Sequence, residues 1–159
     1  MHALNIAQGQ LGQSEQPIGS NSGPMVDAYL AATGLRPGYA WCQSFVYWCY
    51  QQAAMQLHQT NPVRKTAGAM ACWYKALPAM RITKPEALQH PLLIGPGTQF
   101  ILDYGHGEGH TGIVERTEGL VIHTIEGNSN TDGSREGYEV VRHKRSIDDK
   151  LLIGFIKYS

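Results

Sequence analysis

In the first half of the chain apolar residues recur at intervals of three and four, whereas in the second half they alternate or gather in short runs. In SNSGPMVDAYLAATG, Met25, Val26, Tyr29 and Leu30 follow helical spacing, Ser22 precedes Pro24 near the start, and Gly34 stands where a C-terminal cap belongs, so the spacing predicts a helix. A second helix is expected to begin near Trp41 or Cys42, after the break LRPGYA. It runs through CQSFVYWCYQQAAMQ with Phe45, Cys49 and Ala53 on one buried stripe. A third, TAGAMACWYKAL, is predicted from a capping Thr66 to Pro78.

Beyond these, TQFILDY, HTGIVER, LVIHTIE, YEVVRHKR and LLIGFIKY are short runs rich in β-branched and aromatic residues, separated by Gly, Asn, Asp and Ser clusters. Helices followed by strands predict an α+β fold with an antiparallel sheet. No internal repeat or low-complexity linker is visible, and 159 residues suit one domain, 1–159, with a real core.

Thirteen basic and thirteen acidic side chains cancel without any block of like charge. That removes the electrostatic footprint of a nucleic-acid binder or of a protein held on an anionic membrane. The start MHALNIAQGQLGQ has neither a basic opening nor a long apolar stretch, and no run approaches the roughly 20 apolar residues of a membrane span. Synthesis in the cytoplasm without a signal peptide or anchor is the expectation. The three cysteines should then be free thiols. Cys42 and Cys49, on one helix, are separated by roughly 10 Å of rise, too far for a disulfide with Cα atoms about 4.4–6.8 Å apart.

Cys49 lies two turns inside its helix and Cys72 inside another, both in the manner of small buried hydrophobes. Cys42 stands where a helix should start, and unpaired N–H groups there favour a thiolate and can receive an oxyanion. A base and a group to orient it are supplied by HTGIVERTEGLVIHTIEGN, residues 110–128. A three-residue hairpin loop, Thr117 to Gly119, pairs Val114 with Ile122, Gly112 with Thr124, and His110 with Glu126; a two-residue Glu118-Gly119 loop shifts the register by one. Directly opposed side chains share a face, so an imidazole is expected beside a carboxylate. Taken alone, such a pair reads as a structural contact at a sheet edge rather than as chemistry. Gly105, Gly107 and Gly109 nearby permit close approach of a substrate.

The rival arrangement is a metallohydrolase built on His106 and His110 of GHGEGH, with His123 and Glu126 adding ligands. The zinc signature with this spacing is helical, the glycine-rich stretch is not expected to be, and His123 has the opposite strand parity to Glu126. No metal site is therefore predicted.

At PGYAWCQSFVYWC, GHTGIVE and TIEGNSN, in the order cysteine, histidine, acid, the chain resembles the CHAP amidases, a branch of the papain-like superfamily that also contains the NlpC/P60 peptidases. The resemblance covers most of the chain from about residue 20. It implies a papain-like, NlpC/P60-type fold with N-terminal helices packed on a C-terminal antiparallel sheet. It implies Cys42 as nucleophile, His110 as general base and then acid, and Glu126 as the residue orienting the imidazole. Asn128 matches a polar position that often lines the site in this family and is the substitute should Glu126 be structural. One subset of the family binds calcium through an acidic loop ahead of the cysteine; LRPGYAW offers no carboxylate, so no calcium and no other cofactor is expected. The implied reaction is hydrolysis of amide bonds in bacterial peptidoglycan, within the peptide stem or cross-bridge, or between N-acetylmuramic acid and L-alanine. Delivery to the wall would come from lysis, a phage or a secretion system.

Trp41 and Tyr39 flank the nucleophile and either form a groove wall or pack over the helix start. Tyr104 and Asp103 are weaker candidates for substrate contact. Two other readings remain open from sequence: a papain-like peptidase or amidase acting on a non-wall amide or isopeptide, and a catalytically silent binding module.

Overall fold

The computed structural model of the protein describes residues 2–131 and 137–158. Among the described residues five α-helices, α1 (His2–Gln8), α2 (Pro24–Ala32), α3 (Cys42–Gln56), α4 (Ala69–Lys75) and α5 (Lys84–Gln89), accompany six strands. These are β1 (Arg81–Thr83), β2 (Gln99–Gly105), β3 (Glu108–Glu118), β4 (Val121–Ser129), β5 (Glu139–Ser146) and β6 (Leu152–Ile156). They form one antiparallel sheet in the order β1-β6-β2-β3-β4-β5. The α+β arrangement expected from the residue pattern is thus the observed one.

The alternation along β2 explains how the sheet is held. Ile101, with Ile113, Ile125 and Ile156, faces a core shared with α1, α2 and α3. Phe100 and Leu102 face a second core with Val114, Ile122, Phe155, Ala87 of α5, Ile94 and Ile147. A strand covered on both faces reads as a continuous apolar run, as FIL does. Helix α3 is buried almost all round, including Gln43, Ser44, Val46, Tyr47, Tyr50 and Ala54 as well as the predicted stripe. It is therefore a central helix rather than a half-exposed one.

Three short elements escape the sequence pattern: α1, α5 and β1. Each is seven residues or shorter, below the length at which periodicity is informative, and each is stabilised by docking rather than by its own propensity. Helix α4 begins at Ala69 with Gly68 as its N-cap, two residues later than the expected cap; the Thr66 hydroxyl accepts from the Gly68 N–H and closes a local turn ahead of the helix instead of capping it.

Residues 12–15 form a strap along the outer edge of β5. Gly12 N–H donates to Val140 C=O, Val140 N–H to Gln13 C=O, and Glu15 N–H to Tyr138 C=O. Among the described residues no helix is long and apolar enough to cross a membrane.

Candidate active site

Cys42 is the first residue of α3, whose N-cap, Trp41, makes no side-chain cap. The amides of the first turn lack intrahelical acceptors, which places the positive end of a 15-residue helix at the thiol. The loop before it is tied down by distant parts of the chain. Trp41 N–H donates to Asn128 Oδ1 at 2.6 Å, Asn128 Nδ2 donates to Gly137 C=O at 2.6 Å, and the Trp41 indole N–H donates to the buried Glu15 carboxylate at 2.9 Å. Trp41 is fully buried and stacks on Tyr29, with ring centroids 5.6 Å apart.

Cys42, His110 and Asn128 line one cleft of about 250 Å³, walled by Tyr104, Gly109 and the start of α4 at Gly68 and Ala69. Cys42 is 8% exposed, enough to reach that cleft, while Cys49 and Cys72 are wholly buried; all three are free thiols. Burial pushes the Cys49 thiol well above its ordinary pKa, which suits an inert core residue. His110 Nε2 lies 2.7 Å from Glu126 Oε2, leaving Nδ1 as the ring nitrogen for the Cys42 thiol, with which the imidazole also interacts.

The pairing of His110 with Glu126 arises from a register other than the predicted one. The β3–β4 turn is Gly119-Leu120, with Glu118 opposite Val121, and a bulge at Glu115 shifts the ladder so that Val114 opposes Thr124 and Ile113 opposes Ile125. The turn is set by contacts outside the hairpin: Ile147 N–H donates to Leu120 C=O and the Thr117 hydroxyl to Ile94 C=O. The bulged Glu115 accepts from Arg142 and Gln8. Continuing this register puts Glu126 across from Gly112, and His110 diagonally beyond it. A Cβ at Gly112 would lie 2.8 Å from Glu126 Cγ and 2.6 Å from Ile125 O, so the missing side chain is what lets the carboxylate cross to the imidazole.

Glu126 is completely buried and its oxygens are crowded. Arg145 Nε donates to Oε1 and Arg145 Nη2 to Oε2, both at 2.6 Å, and the Thr124 hydroxyl donates to Oε1 at 2.5 Å. Burial alone would raise the Glu126 pKa, but the Arg145 and His110 hydrogen bonds and charges outweigh it and hold the group well below the usual carboxylate range. For His110 burial works towards the neutral form. The interactions with Cys42 and Glu126 overcome it, and the imidazole is pushed up from 6.5 to about 9.

A histidine whose folded pKa lies above its unfolded value stabilises the fold fully below the unfolded value, and that contribution is lost as pH rises through the folded one. Thermal stability is therefore expected to fall between pH 6.5 and about 9 through His110. Melting curves of the wild type and His110→Gln across that window test this; parallel pH dependences would show that His110 is not held as the cation.

The other sequence candidates divide clearly. Tyr104 lines the cleft. Asp103 does not, and its carboxylate accepts from Gly105 N–H at 2.8 Å to close the following turn. Tyr39 is 57% exposed and lies outside the cleft lining. Trp41, of the two placements open to it, takes the buried one over the helix start and forms no groove wall. Asn128 touches neither His110 nor Glu126 through its amide; it braces the loop before Cys42. It has φ of 54°, a left-handed conformation that Asn and Asp tolerate better than Ala. Asn128→Ala is expected to cost about 1–3 kcal/mol by stranding the Trp41 N–H and the Gly137 C=O, and Asn128→Asp less. Equal melting temperatures for the two variants would contradict this bracing.

His106 is exposed in the two-residue turn with Gly107, apart from buried His110. His123 is on the other strand face, with Arg116 and Glu118. Among the described residues no group of three His, Cys, Asp or Glu is placed to hold a metal. The hairpin turn sends His106 outward, so the two histidines of GHGEGH are not brought together. Sequence reasoning missed Arg145, Thr124, Gly112 and Glu15. Thr124 shares the parity of Glu126 and was accessible to that argument; Arg145 depends on the β4–β5 register, whose connection spans residues 130–138 and obeys no short-hairpin rule.

A thiol at the head of a buried helix is thus packed on an antiparallel sheet that presents an imidazole and a carboxylate to the same cleft. The CHAP domain profile matches residues 34–128, and the chain belongs to the CHAP domain family. Among solved structures it is similar to the wild-type endolysin LysIME-EF1, at 19% identity and TM-score 0.58, over 98% of this chain and 62% of that one. It is also similar to Ly7917, at 17% identity and TM-score 0.51, over 98% and 60%. The chain thus spans about three fifths of the length of these neighbours, and the likeness is one of fold. No curated protein matches it.

Proposed function

We propose that the protein is a cysteine-dependent hydrolase of amide bonds in bacterial peptidoglycan. The observation that carries this reading is the meeting of Cys42 and His110 in one cleft, with Glu126 at 2.7 Å behind the imidazole, in a chain of the CHAP family. The endolysin among its structural neighbours supports the wall as substrate.

The Cys42 thiolate attacks the scissile carbonyl carbon, forming a C–S bond while the carbonyl electron pair moves to oxygen. The Cys42 backbone N–H, among the unpaired donors of the first turn of α3, receives that oxyanion. Collapse of the tetrahedral intermediate breaks the C–N bond, and the His110 imidazolium gives its proton to the leaving amine. The neutral ring then takes a proton from water, whose oxygen attacks the thioester; breaking the C–S bond releases a carboxylic acid and restores the thiolate. Glu126 holds the ring through Nε2 so that the other nitrogen serves this proton traffic.

The test is mass spectrometry of purified peptidoglycan sacculi incubated with the wild type and with Cys42→Ala. Defined muropeptides from the wild type alone name the bond cleaved. No products from either protein, with Cys42 still alkylated rapidly near neutral pH, would overturn the wall as substrate and point to a non-wall amide.

A further inference from the structure

Glu126 has two oxygens with two acceptor positions each. Oε1 receives the Thr124 hydroxyl and Arg145 Nε; Oε2 receives Arg145 Nη2 and faces His110 Nε2. Every position is taken, and the group is completely buried, so the carboxylate plane has no alternative setting. Arg145 is itself fixed, with its guanidinium carbon 5.3 Å from the centre of the Phe100 ring.

We propose that Arg145 is a positioning residue for the cysteine-histidine pair: its planar fork fixes both oxygens of Glu126 and thereby aims Oε2 at His110 Nε2. The proposal rests on the reading of Cys42 and His110 as nucleophile and base. A mere counter-charge for a buried acid needs a cation anywhere nearby; two parallel bonds of 2.6 Å specify orientation as well. Fixing the plane of Glu126 fixes the ring, and fixing the ring keeps the imidazolium beside Cys42, where it favours the thiolate. The charged or titratable groups that face Cys42 and His110, or the Glu126 and Arg145 behind them, are Tyr104 from β2, Glu108 from β3, which lines the same cleft, and Asp149 ahead of β6. Arg145 acts on the thiol only through Glu126 and His110.

The experiment follows the rate of Cys42 alkylation by iodoacetamide against pH, with Cys49→Ala and Cys72→Ala in the background, for wild type, Arg145→Met and Arg145→Lys. Melting temperature and the rate of sacculus hydrolysis accompany each. The expected result is a rise of about one pH unit in the acid limb for Arg145→Met, with hydrolysis slowed about tenfold or more, and only partial recovery in Arg145→Lys because lysine keeps the charge without the fork. Should Arg145→Met fail to fold, the Arg145→Lys limb decides alone. Lower melting temperatures with limbs superimposed on an activated wild type would overturn the positioning role and leave the proposed function standing. A wild-type limb at the position of an ordinary thiol would overturn the proposed pairing of Cys42 with His110, and this inference with it.

Discussion

Cys42→Ala is expected to lower the rate of peptidoglycan hydrolysis by at least about a thousandfold while leaving the fold intact. Removal of a covalent nucleophile eliminates the acyl-enzyme route and leaves only binding and the oxyanion donors, and comparable losses in nucleophile variants of hydrolases are that large or larger. The stability cost should be small. The side chain lies at the cleft rather than in either core, so only one sulfur's contacts disappear, a change within about 1 kcal/mol. Fragment release from sacculi and a denaturant titration measure the two quantities separately. Retained hydrolysis in a folded Cys42→Ala protein would remove the thiol from the mechanism, and neither Cys49 nor Cys72 could replace it, since both are sealed in the interior.

Gly112→Ala is expected to have the larger effect on structure. Its new methyl would sit 2.6 Å from Ile125 O, 2.8 Å from Glu126 Cγ and 2.9 Å from Phe100 Cε1. The first of these is backbone of the paired strand and yields only if the β3–β4 ladder opens; the second yields only by withdrawing the carboxylate from His110. Overpacking of this kind costs about 1–3 kcal/mol. Activity per folded molecule should drop about tenfold or more, because the imidazole loses the group that orients it. Denaturant midpoints give the first quantity, and initial rates at a temperature where the variant remains folded give the second. A Gly112→Ala protein with wild-type stability and rate would mean that Glu126 does not pass over position 112.

The architecture and the place of Cys42 at a helix start were legible because they follow from local rules. The change from three- and four-residue spacing to alternation divides helices from strands, and the break LRPGYA ahead of CQSFV marks the start of α3 to within a residue. The association of His110 with Glu126 was anticipated for an incomplete reason. Strand parity put both on one face, but the actual register depends on the bulge at Glu115 and on the bonds that Leu120 and Thr117 make to Ile147 and Ile94, partners remote in sequence. Parity survives a shift of two, so the face was right while the opposition was not. Trp41 illustrates the other limit. Its indole and its backbone N–H are held by Glu15 and Asn128, residues 26 positions before and 87 after, and nothing near Trp41 in the chain announces either bond.

The strap of residues 12–15 on β5 and the bonds converging on Trp41 also determine when the thiol acquires its surroundings. Cys42 is made 68 residues before His110, and the Glu126 carboxylate and Arg145 guanidinium behind that imidazole come later still. The strap cannot dock until Tyr138 and Val140 exist to receive it. Contacts of such sequence separation close late and slowly. A nascent chain that carries Cys42 therefore has neither the imidazole beside its thiol nor a braced loop before it, and the cleft is assembled only once β3, β4 and β5 have been made.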